Sequence, residues 1–412
     1  YPTNVELFEL SQSNSEHCRH WLFKGQLILN GLPIKSSLFN LIKEPYNKYC
    51  DYAYNNNSLV AFTDNASAIK GYNVNKLIPS LSSFSLYKNE NKYVYQHFTF
   101  KAETHNSPCA ISPFPAAETG VGGRIRDTSC IGRGATNIAG LAGYCVGNLN
   151  LNLYLSNDYN YDWEDNKYSN GLLIPALDIL VGASDGASDY GNKIGEPIIG
   201  GFTRSFGMDC NSQFQRFEWI KPIMFSSGIG TIYNENLYKS PSCKNIKAHI
   251  YKLGGDAYKI GLGGSTTSSI ASSSNELLND FEKYQNAVQR GDPEMENKMC
   301  RVIRSCSQLF KNNPIMSIHD QGAGGMSNVI KELIEPNGAI INLGDSSMSS
   351  LDIWCCEYQE QVALLLDPQN PQNIETIKNI ANREKVKLQY VGKVTKSPEL
   401  IVHDNRNKNI KN

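Results

Sequence analysis

Residues 101–134 read KAETHNSPCAISPFPAAETGVGGRIRDTSCIGRG, and the organisation of the chain follows from them. Just upstream, residues 93–100 (YVYQHFTF) are rich in aromatic and β-branched side chains, the composition of a strand. At its end stand Glu103, His105 and Asn106, a carboxylate, an imidazole and an amide within four residues. Next come Gly120, Gly122 and Gly123, followed by Arg124, Arg126 and Asp127. The glycines predict a loop whose backbone N–H groups approach an anion closely, and the arginines add forked donors suited to phosphate. Glu103 and Asp127 are hard oxygen donors of the kind Mg²⁺ takes beside nucleotide phosphates. The plain alternative is a glycine-rich hairpin with a surface ion pair. Cationic, metal-binding and acid–base groups in one stretch favour a site.

Length and composition set the frame around this stretch. At 412 residues the chain exceeds one ordinary core, and two domains of roughly 200 residues are expected. With 39 basic and 40 acidic residues there is no global field for nucleic acid or an acidic membrane, so any anion site is local. No apolar run approaches the ~20 residues that span a bilayer, and no secretory signal is visible. The 11 cysteines lack CxxC spacing, which argues against disulfides or zinc and for a reducing cytoplasm. The chain begins at Tyr1 rather than Met and reads as a processed chain or a piece of a longer one.

Moving outward, Thr3 and Glu6 have capping-box spacing and open a short helix. Ser15–His20 (SEHCRH) places His17 and His20 on one helical face. Residues 44–80 are rich in Asn, Tyr and Ser and read as surface loops with a strand near Leu59–Phe62, without chemistry. Residues 139–155 read as a strand, 175–181 as a helix start, and 182–197 (GASDGASDYGNKIGEP) as a loop or a wall beside phosphate. Apolar periodicity fades over 234–247. The expected division is a first α+β domain over 1–235, a linker over 236–250 and a second α+β domain over 251–412.

In the second part, 258–261 reads as a strand and 261–269 (GLGGSTTSS) as a second glycine loop or a tight strand-to-helix turn. Asp292-Pro293 is a cap followed by a first-turn proline, and Met295, Met299, Val302, Ile303, Cys306 and Phe310 form an apolar stripe. Residues 317–325 (SIHDQGAGG) predict a strand end, a carboxylate at Asp320 suited to a metal or a ribose phosphate, and a glycine turn into a helix. Strands near 362–366, 388–391 and 400–402 and a helix at 374–381 complete the domain.

SEHC, ETHN, TGVGGRIRD, GRGA and 182–197 together resemble the phosphoribosylformylglycinamidine synthase family, in its large eukaryotic-like type, along nearly the whole chain. The resemblance implies two α+β domains of the aminoimidazole ribonucleotide synthase-like superfamily, the first with a ferredoxin-like sheet that binds ATP and pairs with a related domain. It implies ATP-dependent amidation of formylglycinamide ribonucleotide through an iminophosphate, with Mg²⁺ and glutamine-derived ammonia, in purine biosynthesis.

Carried over by motif, His17 and His105 are the active-site histidines. His20, Lys101, Thr119, Gly120, Gly122, Gly123, Arg124 and Arg126 take ATP or phosphate, and Glu103, Asp127 and Asp320 take the metal. Thr104, Asn106, Arg126, Gln289 and the triplet Glu357, Tyr358 and Gln359 take the substrate. Departures occur at Ser107, Ala116, Glu118 and Gln361; a carboxylate at 118 opposes phosphate beside it. The family's Cys, His and Glu glutaminase set matches no stretch here, so a second synthetase half and a C-terminal glutaminase domain are expected as partners. A sister enzyme such as aminoimidazole ribonucleotide synthase, or a scaffold half holding a structural nucleotide, are the alternatives.

Overall fold

The computed structural model describes residues 1–14, 21–52, 56–79, 87–88, 93–151, 174–210, 215–240, 248–265, 281–344 and 346–406. Residues 15–20, with His17 and His20, lie outside them.

Two six-stranded sheets organise the chain. The first uses β1 (Ser58–Val60), β2 (Ser67–Val74), β3 (Val94–Thr104), β4 (Thr136–Val146), β5 (Ile198–Ser205) and β6 (Ile223–Tyr233) in the order β1-β2-β3-β6-β4-β5. Only β4 and β5 pair in parallel. The second uses β7 (His249–Gly254), β8 (Ser317–Asp320), β9 (Gly338–Asn342), β10 (Gln361–Leu366), β11 (Lys387–Thr395) and β12 (Leu400–His403) in the order β8-β10-β7-β11-β9-β12. The α+β architecture with two sheets is as expected.

One face of the first sheet is covered by two helices, α2 (Pro113–Ser129) and α3 (Ala176–Ile194). Alternation along β6 sends Met224 into that core and Ile232 into a neighbouring cluster with Val60, Ala68 and Ile131. The opposite face carries Ile69, Phe98, Phe100, Phe202 and Ile229, all exposed, with Ile69 opposite Phe98 and Phe100 opposite Ile229 across the ladders.

The second sheet is filled on both sides. One core includes Ile250, Ile330, Trp354 and Leu365; the other includes Leu253, Met299, Ile303 and Leu364. α4 (Pro293–Ser307) has the anticipated cap, with Met295 N donating to Asp292 Oδ1 at 3.0 Å, and buries Met299, Val302, Ile303 and Cys306.

The capping box is present at α1 (Asn4–Asn14), where Thr3 N donates to Glu6 Oε2 and Glu6 N to Thr3 Oγ1. This helix does not rest on the first sheet. Val5 and Phe8 pack on the core of the second, Trp354 Nε1 donates to Glu9 at 3.1 Å, and Lys331 pairs with Glu9.

Three sequence expectations fail, the first two of them for one physical reason. Residues 119–127 and 182–194 are helical, not loops, and a helix without glycine, Leu38–Tyr52, runs into the stretch 44–80 expected as surface loops. Glycine costs a helix about 1 kcal/mol relative to alanine, but here it permits close contact between helices. A Cβ on Gly122 would meet Tyr190 Oη at 2.7 Å, and one on Gly186 would meet the Phe114 carbonyl oxygen at 2.1 Å. The segment 258–261, expected as a strand, is irregular.

Candidate functional site

The C-terminal end of β3 and the C-terminal end of β8 meet at the base of α2, and between them lies a cavity of about 510 Å³. It is lined by Lys101, Glu103, Thr104, His105, Asn106, Thr119, Gly120, Gly123, Arg126, Asp127, Gln289, Asp320 and Gln359. Stretches far apart in sequence thus contribute to one site.

At one end is an acid cluster around a lysine. Lys101 Nζ lies 2.9 Å from Asp127 Oδ2 and 3.4 Å from Glu103 Oε2. Burial, with Asp320 and Glu103 nearby, pushes the Asp127 carboxyl well above the usual carboxylate range. Asp320 accepts from Asn65 Nδ2 at 2.5 Å. Among the described residues no three His, Cys, Asp or Glu side chains are gathered as ligands of one metal ion. Mg²⁺ ordinarily takes only one or two carboxylates together with phosphate and water oxygens, so the donor chemistry suits it without a full cage. One ammonium facing three carboxylates leaves negative charge for such a cation to balance.

At the other end are amides and an imidazole. His105 is fixed through its backbone N–H to the Met224 carbonyl at 2.9 Å, and burial holds its imidazole below the usual range, in the neutral form. His105 Nδ1, Asn106 Oδ1, Gln289 Oε1 and Gln321 Oε1 are buried with no hydrogen-bond partner among the described residues. Buried polar atoms are nearly always paired, so four unpaired ones around a single cavity mark where a ligand's polar groups belong.

Several expected ligands are committed elsewhere. Arg124 is fully buried and grips Glu196 through two bonds of 2.5 Å, so it is not available to phosphate. Arg126 donates to Glu296 at 3.0 Å and to Gln359, with Glu360 at 3.7 Å. Burial pushes the Glu296 and Glu360 carboxyls up, so one of them keeps a proton near neutral pH. Thr119 Oγ1 donates to carbonyls of its own helix. Gly120, Gly122 and Gly123 offer no loop, because α2 runs through them. Tyr358 donates to the Asp352 carbonyl at 2.9 Å and does not line the cavity. Glu357 accepts from Ser265, Gly324 N and Gln289.

The sequence reading missed Asn65, which lies in the segment set aside as loops, and the cavity-lining Pro108, Ser265, Gln321, Gly322 and Ala323. Ser265, Gln321, Gly322 and Ala323 belong to motifs already singled out for their glycines. Nothing in the local pattern around Asn65 points to Asp320.

The family described as AIR synthase related protein, C-terminal domain, matches residues 249–405. An Arabidopsis thaliana protein named probable phosphoribosylformylglycinamidine synthase, chloroplastic/mitochondrial, is 47% identical over 95% of this chain and 27% of its own length. The Homo sapiens phosphoribosylformylglycinamidine synthase is 44% identical over 98% of this chain and 29% of its own. The chain therefore spans under a third of the relatives it matches. Thermotoga maritima PurL, solved as a complex with FGAR, superposes with a TM-score of 0.62 at 21% identity, covering 98% of this chain and 51% of that one. At such identity the superposition speaks for the fold. The same protein has also been solved with ATP, with a TM-score of 0.59.

Proposed function

From a chain homologous along almost its whole length to one stretch of the phosphoribosylformylglycinamidine synthases, we propose that this cavity is the substrate side of an ATP-dependent amidation of formylglycinamide ribonucleotide. The observation that carries the reading is the ring of unpaired polar atoms on His105, Asn106, Gln289 and Gln321 beside the acid cluster. An amide substrate offers both donors and acceptors to such a ring.

The roles follow position. Asn106, Gln289 and Gln321 bind and orient the amide-bearing substrate. His105, neutral and set at the cavity wall, moves a proton as ammonia displaces the amide oxygen, which leaves as phosphate after ATP has phosphorylated it. Glu103, Asp127 and Asp320 hold Mg²⁺, whose chemistry when bound is to set positive charge against phosphate oxygens. Lys101 gives a second, fixed positive charge there. The guanidinium groups of Arg124 and Arg126 are held by Glu196, Glu296 and Gln359, so this reading takes the remaining nucleotide contacts from outside the described residues. His17 and His20 stay candidates for that role, and a second synthetase half and a glutaminase domain are the expected partners. Cys50, Cys109, Cys130, Cys145, Cys300, Cys306, Cys355 and Cys356 are free, which suits a reducing cytoplasm, although the Arabidopsis relative carries a plastid and mitochondrial designation. Among the described residues no helix is long and apolar enough to cross a membrane.

The test is ADP release in the presence of ammonium by this chain combined with the remaining region of the protein, expressed separately. Turnover is expected from the combination and not from either part alone. Retention of unhydrolysed ADP with no turnover by the combination would favour the scaffold alternative. Asp320→Asn should raise the Mg²⁺ needed for half-maximal rate by about 10-fold or more and weaken Mn²⁺ binding read by electron paramagnetic resonance. Unchanged Mn²⁺ binding would remove Asp320 from the metal set.

A further inference from the structure

Asn65 stands in the turn between β1 and β2, in the segment expected to carry no chemistry, yet its amide crosses to the second sheet. Asn65 Nδ2 donates to Asp320 Oδ1 at 2.5 Å. His319 Nδ1 lies nearest the same oxygen, 3.5 Å away. Among the described residues no donor reaches Asp320 Oδ2, and Asp320 lines the cavity. One carboxylate oxygen is held by the protein and the other is left to the cavity.

The turn that carries Asn65 is itself held. Asp64 Oδ1 accepts from the Asn65 backbone N–H at 2.9 Å and lies 2.9 Å from Lys239 Nζ, while Asp64 Oδ2 accepts from Gly132 N at 3.0 Å. Gly132 opens the GRGA stretch, which lines no part of the cavity. Its φ of +58° is left-handed, and a Cβ there would meet the Asn236 carbonyl oxygen at 2.1 Å. Glycine thus lets this N–H face Asp64 from a crowded turn. The contacts run from Gly132 and Lys239 to Asp64, along the backbone to Asn65, and from Asn65 to Asp320.

We propose that Asn65 is a positioning residue for the cation site: it holds Asp320 Oδ1 so that the carboxylate meets the cation through Oδ2 alone, and Asp64 with the GRGA turn fixes Asn65. The inference rests on the reading of Asp320 as a Mg²⁺ ligand. Mg²⁺ demands near-octahedral oxygens at about 2.1 Å, which a carboxylate fixed by one oxygen supplies; the larger Ca²⁺ accepts both oxygens of one carboxylate. Removing a hydrogen-bond partner that orients a ligating carboxylate typically weakens metal binding about 10- to 100-fold. A neutral amide orients Asp320 without offsetting the negative charge that attracts the cation.

The test titrates Mn²⁺ into the chain combined with the remaining region, with free Mn²⁺ read by electron paramagnetic resonance. Asn65→Ala should weaken Mn²⁺ binding by about 10-fold or more and narrow the preference for Mn²⁺ over Ca²⁺. The Mg²⁺ needed for half-maximal rate should rise as much, with kcat at saturating Mg²⁺ within about threefold of native. Asp64→Asn loosens the turn without touching Asp320. It should give a smaller loss in the same direction, and it decides the matter if the alanine variant does not fold. A lower Tm in folded Asn65→Ala with native Mn²⁺ affinity would make the contact a plain tie between the sheets and overturn the proposal. Asp320→Asn separates this inference from the reading beneath it. Unchanged Mn²⁺ binding there removes Asp320 from the metal set and the proposal with it; weakened binding there beside native binding in Asn65→Ala overturns the positioning alone.

Discussion

At the scale of single residues, the arginines of the central stretch illustrate how charge can be committed to structure. Arg126 joins α2 of the first sheet to Glu296 on α4 and to Gln359 and Glu360 beside β10. Removing it strands two buried carboxyls. Arg126→Ala should therefore destabilise the chain by about 3–5 kcal/mol, read as a lower midpoint in urea, with any loss of activity following from unfolding. A folded variant of native stability that binds phosphate poorly would restore the ligand assignment. Glu118 gives a pH prediction. Burial, then the nearby Asp189, pushes its carboxyl up to about 7. Its folded value is raised above the unfolded one, so the native state binds the extra proton between about pH 4.5 and 7 and stability falls as pH rises through that window. Glu118→Gln should flatten this slope and leave the chain more stable at alkaline pH by about 1 kcal/mol, a figure reduced because the side chain is partly exposed. Thermal melts across the window would show it; parallel curves for the two proteins would not fit.

At the scale of elements, α2 and α3 behave as a close-packed helix pair built on small residues. Helix propensity alone makes Gly186→Ala stabilising by about 1 kcal/mol. The Cβ would meet the Phe114 carbonyl oxygen at 2.1 Å, backbone that cannot swing aside, so we expect the opposite sign, a loss of about 1–3 kcal/mol and a lower Tm. This pair also shows what the sequence could reveal. Patterns that depend on one element's own geometry were legible: the Thr3–Glu6 box, the Asp292 cap, the stripe on α4, and the strand, turn and helix around Asp320. The glycines of 119–123 and 182–191 were not, because their purpose lies on a neighbouring helix that no local window contains. The same limit governs the site. The sequence brings Glu103, Asp127 and Asp320 to mind as donors, and the cavity gathers them. That Arg124 answers to Glu196, or Asp320 to Asn65, depends on contacts 72 and 255 residues apart in the chain.

At the scale of the whole molecule, the face of the first sheet opposite its helices presents Ile69, Phe98, Phe100, Phe202 and Ile229 to solvent. A contiguous apolar face of this kind marks an interaction surface. Sedimentation of the isolated chain should show concentration-dependent association, and Phe98→Asp with Phe100→Asp should abolish it together with binding of the remaining region. A strictly monomeric native chain would contradict this. The placement of α1 has a different consequence. The chain starts on the second sheet, through Glu9 with Trp354 and Lys331, before it builds the first. The polypeptide thus doubles back across the molecule like a clasp. Severing it at a protease site engineered between residues 240 and 248 should not release two pieces. The fragments should stay together as a split protein that co-elutes under native conditions and parts only in denaturant.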